Sequence, residues 1–108
     1  VRLLEHRGRV FVYGHPVDMR KGFAGLQALV QHQLGEDPLS GDLFVFLNRL
    51  RTFAKCLFWD RTGFLIVCKR LEQGRFQLRA SSGKVEIDSR RLELLLDGIP
   101  VGGISRDS

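Results

Sequence analysis

Five consecutive apolar residues, LFVFL at Leu43–Leu47, constrain this chain more than any other stretch. A strand with one wet face alternates apolar and polar side chains, because successive residues point to opposite sides of the sheet. LFVFL has no polar position, so it suits a central strand covered on both faces. A chain of 108 residues holds one domain with a single core, and has limited means to supply that double cover.

The flanking segments predict what surrounds it. GRVFVYG over residues 8–14 is β-branched and aromatic between glycines, and reads as a first strand. Phe23, Leu26, Val30 and Leu34 form an apolar stripe at helical spacing. The stripe predicts a helix over 19–34, capped by Asp18 and closed by Gly35. KCLFW and FLIVCKR read as two strands joined at DRTG, with a three-residue loop ending in a left-handed Gly63. EQGRF offers another turn, and residues 84–87 a further strand. Asp88 or Ser89 can cap a last helix whose apolar face is Leu92, Leu95, Leu96 and Ile99, with Gly98 as its stop. From about residue 101 the chain is expected to fray. These elements predict a single α+β domain: an antiparallel sheet of four or five strands with two helices packed against it.

LFVFL and FLIVC are the longest apolar runs, far below the roughly 20 residues that span a bilayer. No charged-then-apolar leader opens the chain, and two cysteines suit a reducing compartment, so a cytoplasmic location is expected. Enzyme signatures are sparse. His6, His15 and His32 show no metal-ligand spacing, and Cys56 and Cys68 are twelve apart without a local CxxC pair. Both cysteines are expected as buried small apolar residues. The carboxylates Asp18, Asp42, Asp60, Glu72, Glu86 and Asp88 are scattered singly, which is little basis for a metal-dependent nuclease. No catalytic residue, metal or cofactor is therefore expected.

The basic residues are unevenly spread. The chain carries a formal +5, yet from Arg49 to Arg91 eleven basic residues stand against four acids. That imbalance favours an anionic partner such as nucleic acid. With a three-residue loop, Lys55 would lie directly across from Lys69, an unfavourable pairing unless an anion lies beside it. A two-residue loop would shift the register and remove that pairing. Arg49, Arg51 and Arg70 enter or leave at the same end, and Arg75 follows with Phe76; Phe53 or Phe76 could stack on bases. The bland alternative is a solvated rim of long side chains lying over the sheet edge. A second cluster, Arg20 and Lys21, sits where the helix dipole disfavours cations. It needs either a neighbouring carboxylate or an anionic ligand.

In fixed order, DMRKGF (18–23), DPLSGDLFVF (37–46), Lys55, WDRTGF (59–64) and KRLEQGRF (69–76) resemble a known family. It is the TnpB-type accessory protein, the second reading frame, of bacterial insertion-sequence family sixty-six. The resemblance covers about residues 8–99. It implies an accessory factor acting beside a separate, larger transposase, with DNA binding as the suggested activity and no established catalytic residue. Two stretches depart from the family pattern: NRLRTFAK (48–55) lacks the usual adjacent arginines, and QLRASS (77–82) lacks the usual aromatic-proline pair.

Two functions follow as expectations. One is a non-enzymatic factor contacting the DNA of the element ends through Arg49, Arg51, Lys55, Lys69, Arg70, Arg75, Arg20 and Lys21. The other is an adaptor that assembles the transposase, or a homodimer, through the all-apolar strands without touching DNA. No membrane partner is expected.

Overall fold

The computed structural model describes residues 8–79 and 82–106. Its centre is a six-stranded mixed sheet in the order β4-β3-β2-β1-β6-β8, formed by β1 (Val10–Tyr13), β2 (Leu43–Leu47), β3 (Phe53–Asp60), β4 (Gly63–Arg70), β6 (Lys84–Ile87) and β8 (Ile104–Ser105). Helix α1 (Phe23–His32) connects β1 to β2, and α2 (Ser89–Leu96) follows β6. A second, two-stranded sheet pairs β5 (Leu78–Arg79) with β7 (Val101–Gly102).

The architecture is α+β with two helices, as expected, but the main sheet has six strands and is not wholly antiparallel. β1 and β2 run parallel, with Val10 beside Leu43 and Val12 beside Val45. Parallel neighbours cannot be joined by a tight turn, and here the α1 segment supplies the crossover. The other pairings of the main sheet are antiparallel.

Every residue of LFVFL is buried. Phe44 and Phe46 point to one face, where they join Phe11 and Leu57 beneath Leu26, Val30 and Leu34 of the α1 segment. The rings of Phe11 and Phe44 stack 5.9 Å apart. Leu43, Val45 and Leu47 point to the other face, with Val10, Val12, Cys56 and Val85, beneath Leu92, Leu95 and Leu96 of α2. Phe76, Leu78 and Val101, on or beside the small sheet, complete that second layer. The alternating pattern of one strand is thus split between two hydrophobic cores.

Local details correct the sequence reading in three places and bear it out in others. α1 starts at Phe23 with Gly22 as N-cap and no side-chain cap, because Asp18 is engaged elsewhere; Phe23 itself is 49% exposed. Gly35, at φ 63, does end the helical segment, and Glu36 N–H bonds back to Val30 C=O. α2 has the expected cap, Asp88, whose carboxylate accepts the Arg91 amide at 2.8 Å, and Gly98 at φ 81 turns the chain out. Of its expected face only Ile99 is exposed. The chain from about residue 101 is expected to fray; β7 instead pairs with β5, and β8 with β6, while residues 107–108 lie outside the described residues. Among the described residues, no helix is long and apolar enough to cross a membrane.

Candidate nucleic-acid interface

Strand direction decides where the basic residues go. β1 and β2 end, β3 begins, and β4 ends at the same edge of the sheet, because β1 and β2 are parallel and β3 and β4 fold back antiparallel. Residues 14–22, 48–52 and 71–76 therefore leave the sheet as three neighbouring loops. Backbone bonds lace them to each other and to the strands. Val17 N–H donates to Leu47 C=O at 2.9 Å, Leu71 N–H to Thr52 C=O at 2.9 Å, and Phe76 N–H to Arg51 C=O at 2.7 Å.

The middle loop is a compact turn built on Asn48. Its side-chain oxygen accepts the amides of Thr52 at 2.8 Å and Phe53 at 3.0 Å, and its amide nitrogen donates to the Thr52 hydroxyl at 3.2 Å. The turn forces Arg51 into left-handed backbone at φ 58. Leu50 stands at the tip, 63% exposed, beside the exposed Arg49. The apolar side chain at such a tip contributes nothing to the core.

The hairpin register differs from the one that paired Lys55 with Lys69. Asp60 pairs with Gly63, so the loop is the two residues Arg61 and Thr62. Arg61, at φ 50, takes the left-handed position, and Gly63 has no positive φ. Lys55 then faces Cys68, and Lys69 faces Ala54. A shift of one residue sends a side chain to the opposite face. Lys55 lies on the α1 side, where its ammonium donates to the Lys21 carbonyl at 2.7 Å. Lys69 lies on the α2 side, 3.6 Å from the Asp97 carboxylate at the helix C-cap. The two lysines do not form one grip.

The remaining expected contacts divide into free and occupied groups. Arg49, Arg75 and Lys21 are exposed, and none has a carboxylate partner among the described residues. Arg70 lies 3.7 Å from Glu72 in an exposed pair, worth little in water. Arg51 is half-buried and its guanidinium donates to Leu78 C=O at 3.1 Å, tying the turn to β5. Arg20 is held by Asp18, which accepts its backbone amide at 2.9 Å and its guanidinium at 2.6 Å. Those hydrogen bonds hold the Asp18 carboxyl at about 2, below its ordinary 3.8, and raise Arg20. Arg20 is therefore neutralised locally, and both it and Lys21 precede the Gly22 cap rather than occupying the first turn of α1. Phe76 is 1% exposed and packs in the core, so it cannot stack on a base; Phe53 is half-buried.

Elsewhere the pattern is different. Arg9 meets Asp42 at 3.0 Å and Glu36 at 3.3 Å, Lys84 meets Glu36, Arg91 meets Asp88 at 2.8 Å, and Arg106 meets Glu86 at 3.0 Å. Asp42 is buried, and its hydrogen bond and charge raise the Arg9 pKa. Arg61, Arg79 and Arg90 are also exposed, each on a separate element. The loops at one sheet end are where uncompensated cations gather, on both sides of the sheet.

The cysteines divide as well. Cys56 is buried in the α2-side core, while Cys68, on the other face of β4, is exposed. Among the described residues, no group of three or more His, Cys, Asp or Glu side chains could hold a metal ion.

What these features define is a small α+β protein whose polar chemistry lies in surface charge on laced loops. Residues 8–106 match the family described as IS66 Orf2 like protein, and the chain belongs to that family. It is 36% identical over 92 residues to the uncharacterized protein y4jC of Sinorhizobium fredii, covering 84% of this chain and 79% of that protein. It is 39% identical over 92 residues to the uncharacterized protein y4hO of the same organism, covering 84% of this chain and 80% of that protein. No solved structure matches the chain. Membership in this family suggests an accessory role in transposition.

Proposed function

We propose that the chain is a non-catalytic transposition accessory factor that binds DNA through the loops 14–22, 48–52 and 71–76. The observation behind this reading is the segregation of charge. Lys21, Arg49 and Arg75 have no carboxylate partner among the described residues and gather in these neighbouring loops. Outside the loops four cations meet carboxylates at close range, and the exposed Arg61, Arg79 and Arg90, likewise without one, stand apart on separate elements. A phosphate backbone fits that arrangement, since Lys and Arg gain affinity by displacing its condensed counterions. Lys55 and Arg51 serve mainly as braces, spending their donors on Lys21 C=O and Leu78 C=O. Arg70 and Lys69 flank the loops from opposite faces and exchange weak carboxylate contacts for phosphates.

Contact of this kind positions a duplex without reading its bases. If four phosphates are neutralised, affinity falls by roughly two orders of magnitude between about 50 and 200 mM salt. Fluorescence anisotropy of a labelled duplex carrying an element end, titrated across that range, measures the slope. Affinity that is undetectable at the lowest salt, or independent of salt, contradicts the reading.

A further inference from the structure

We propose that β4 is the interface of a symmetric dimer, in which its outer edge pairs antiparallel with the same edge of a second copy. β4 is eight residues long and forms one margin of the main sheet, while the other margin is the two-residue β8. Among the described residues no strand pairs with its outer side.

The free backbone groups follow from the ladder. Leu71 N–H bonds to Thr52 C=O in the same register as the β3–β4 pairs. Antiparallel strands alternate inward and outward bonding, so Leu65, Val67 and Lys69 direct their amides to β3. Phe64, Ile66, Cys68 and Arg70 direct theirs outward. Natural edges are usually blunted by proline, inward charge, a bulge or short length. Residues 64–68 have no proline and no charge, and the register from Phe53–Arg70 to Asp60–Gly63 is unbroken.

A second copy fits this edge better than an arbitrary strand. A two-fold axis normal to the sheet preserves its faces and sets Ile66 across from Ile66 of the second copy. Phe64 then meets the second copy's Cys68, and the exposed Leu65 meets its Val67. Lys69 falls across from Gly63 and Arg70 from Thr62, so neither cation faces its own counterpart. Lys69 shares a face with Asp60 of the second copy, which lies one strand further on behind that side-chain-free Gly63, within reach of a long side chain. Asp60 is exposed and has no cation partner among the described residues, so the charges at the two ends of the strand are complementary. Because β8 is too short to offer an equivalent edge, the pairing is isologous and closes at two copies. The two loop ends then point to opposite poles, so one dimer would present two DNA-contacting ends. That consequence rests on the proposed DNA contact; the dimer does not.

Sedimentation equilibrium of the full chain, without DNA, tests the pairing. A dimer is expected at about 100 μM protein, well above the micromolar dissociation constants of transient complexes. Ile66→Pro removes an outward amide while keeping the inward ladder, though it gives up a side chain packed against the α1-side core, and should yield a monomer with an unchanged far-ultraviolet circular dichroism spectrum. Should that variant not fold, Leu65→Lys, at a position 43% exposed, sets a charge against the second copy's apolar strand and should also yield a monomer. A parent chain that stays monomeric overturns the proposal, as does a dimer that survives Leu65→Lys.

Discussion

Arg51 and Arg61 hold left-handed backbone at φ 58 and φ 50, where a Cβ crowds the following carbonyl. The two positions have different uses. Arg51 spends its guanidinium on Leu78 C=O, whereas Arg61 is exposed at the hairpin tip with no side-chain partner among the described residues. Replacing Arg61 by glycine relieves about 1–2 kcal/mol of left-handed strain and loosens the unfolded chain by about 0.5–1 kcal/mol. The net expectation is a gain of about 0.5–1 kcal/mol, read by urea denaturation at an unchanged m-value. The same substitution at Arg51 should give no gain, since it also removes a bond worth about 1 kcal/mol. The two thiols differ as sharply. Burial pushes the Cys56 thiol up to about 12, with a smaller push from Cys68, so it stays protonated at neutral and mildly alkaline pH. A thiol reagent at pH 8 should therefore titrate one cysteine, Cys68, in the native chain and both after denaturation. Two rapid equivalents in the native state would contradict the burial of Cys56.

At the scale of elements, the features legible in the sequence were those fixed by local pattern. LFVFL announced a strand buried on both faces, and Leu92, Leu95 and Leu96 announced the inner face of α2. The cap of that helix was legible too. Asp88→Ala should cost about 1 kcal/mol, mostly from the lost bond to the Arg91 amide, because the accompanying ion pair is exposed. A loss below about 0.3 kcal/mol in chemical denaturation would show that the cap contributes little. What stayed hidden depended on contacts distant in sequence. Nothing in GRVFVYG or LFVFL states that they pair side by side and parallel. The hairpin signal at DRTG was sound, but its one-residue register turned on whether Arg61 or Gly63 took the left-handed position. That single choice moved Lys69 to the face opposite Lys55 and divided the expected site. β7 and β8 are two residues each, and exist because β5 and β6 offer them an edge.

For the whole molecule, the consequence of the fold is an asymmetry between two ends of one sheet. Basic residues were legible as an excess after Arg49; their destination was not, because it depends on which strands end together. The topology brings the loops 14–22, 48–52 and 71–76 to one end, with Arg49 and Arg75 exposed and unpaired by acids among the described residues. At the other end stand Arg61, in the hairpin turn, and Arg90, in the first turn of α2. A charge-matched comparison uses this contrast. Arg49→Glu with Arg75→Glu changes the net charge as much as Arg61→Glu with Arg90→Glu does. Anisotropy with a labelled duplex across salt concentrations then separates local contact from overall charge. The first pair should weaken binding at least tenfold at low salt and flatten the salt slope by about 2, while the second leaves the slope nearly unchanged. Equal losses from both pairs would contradict a DNA interface at the loop end.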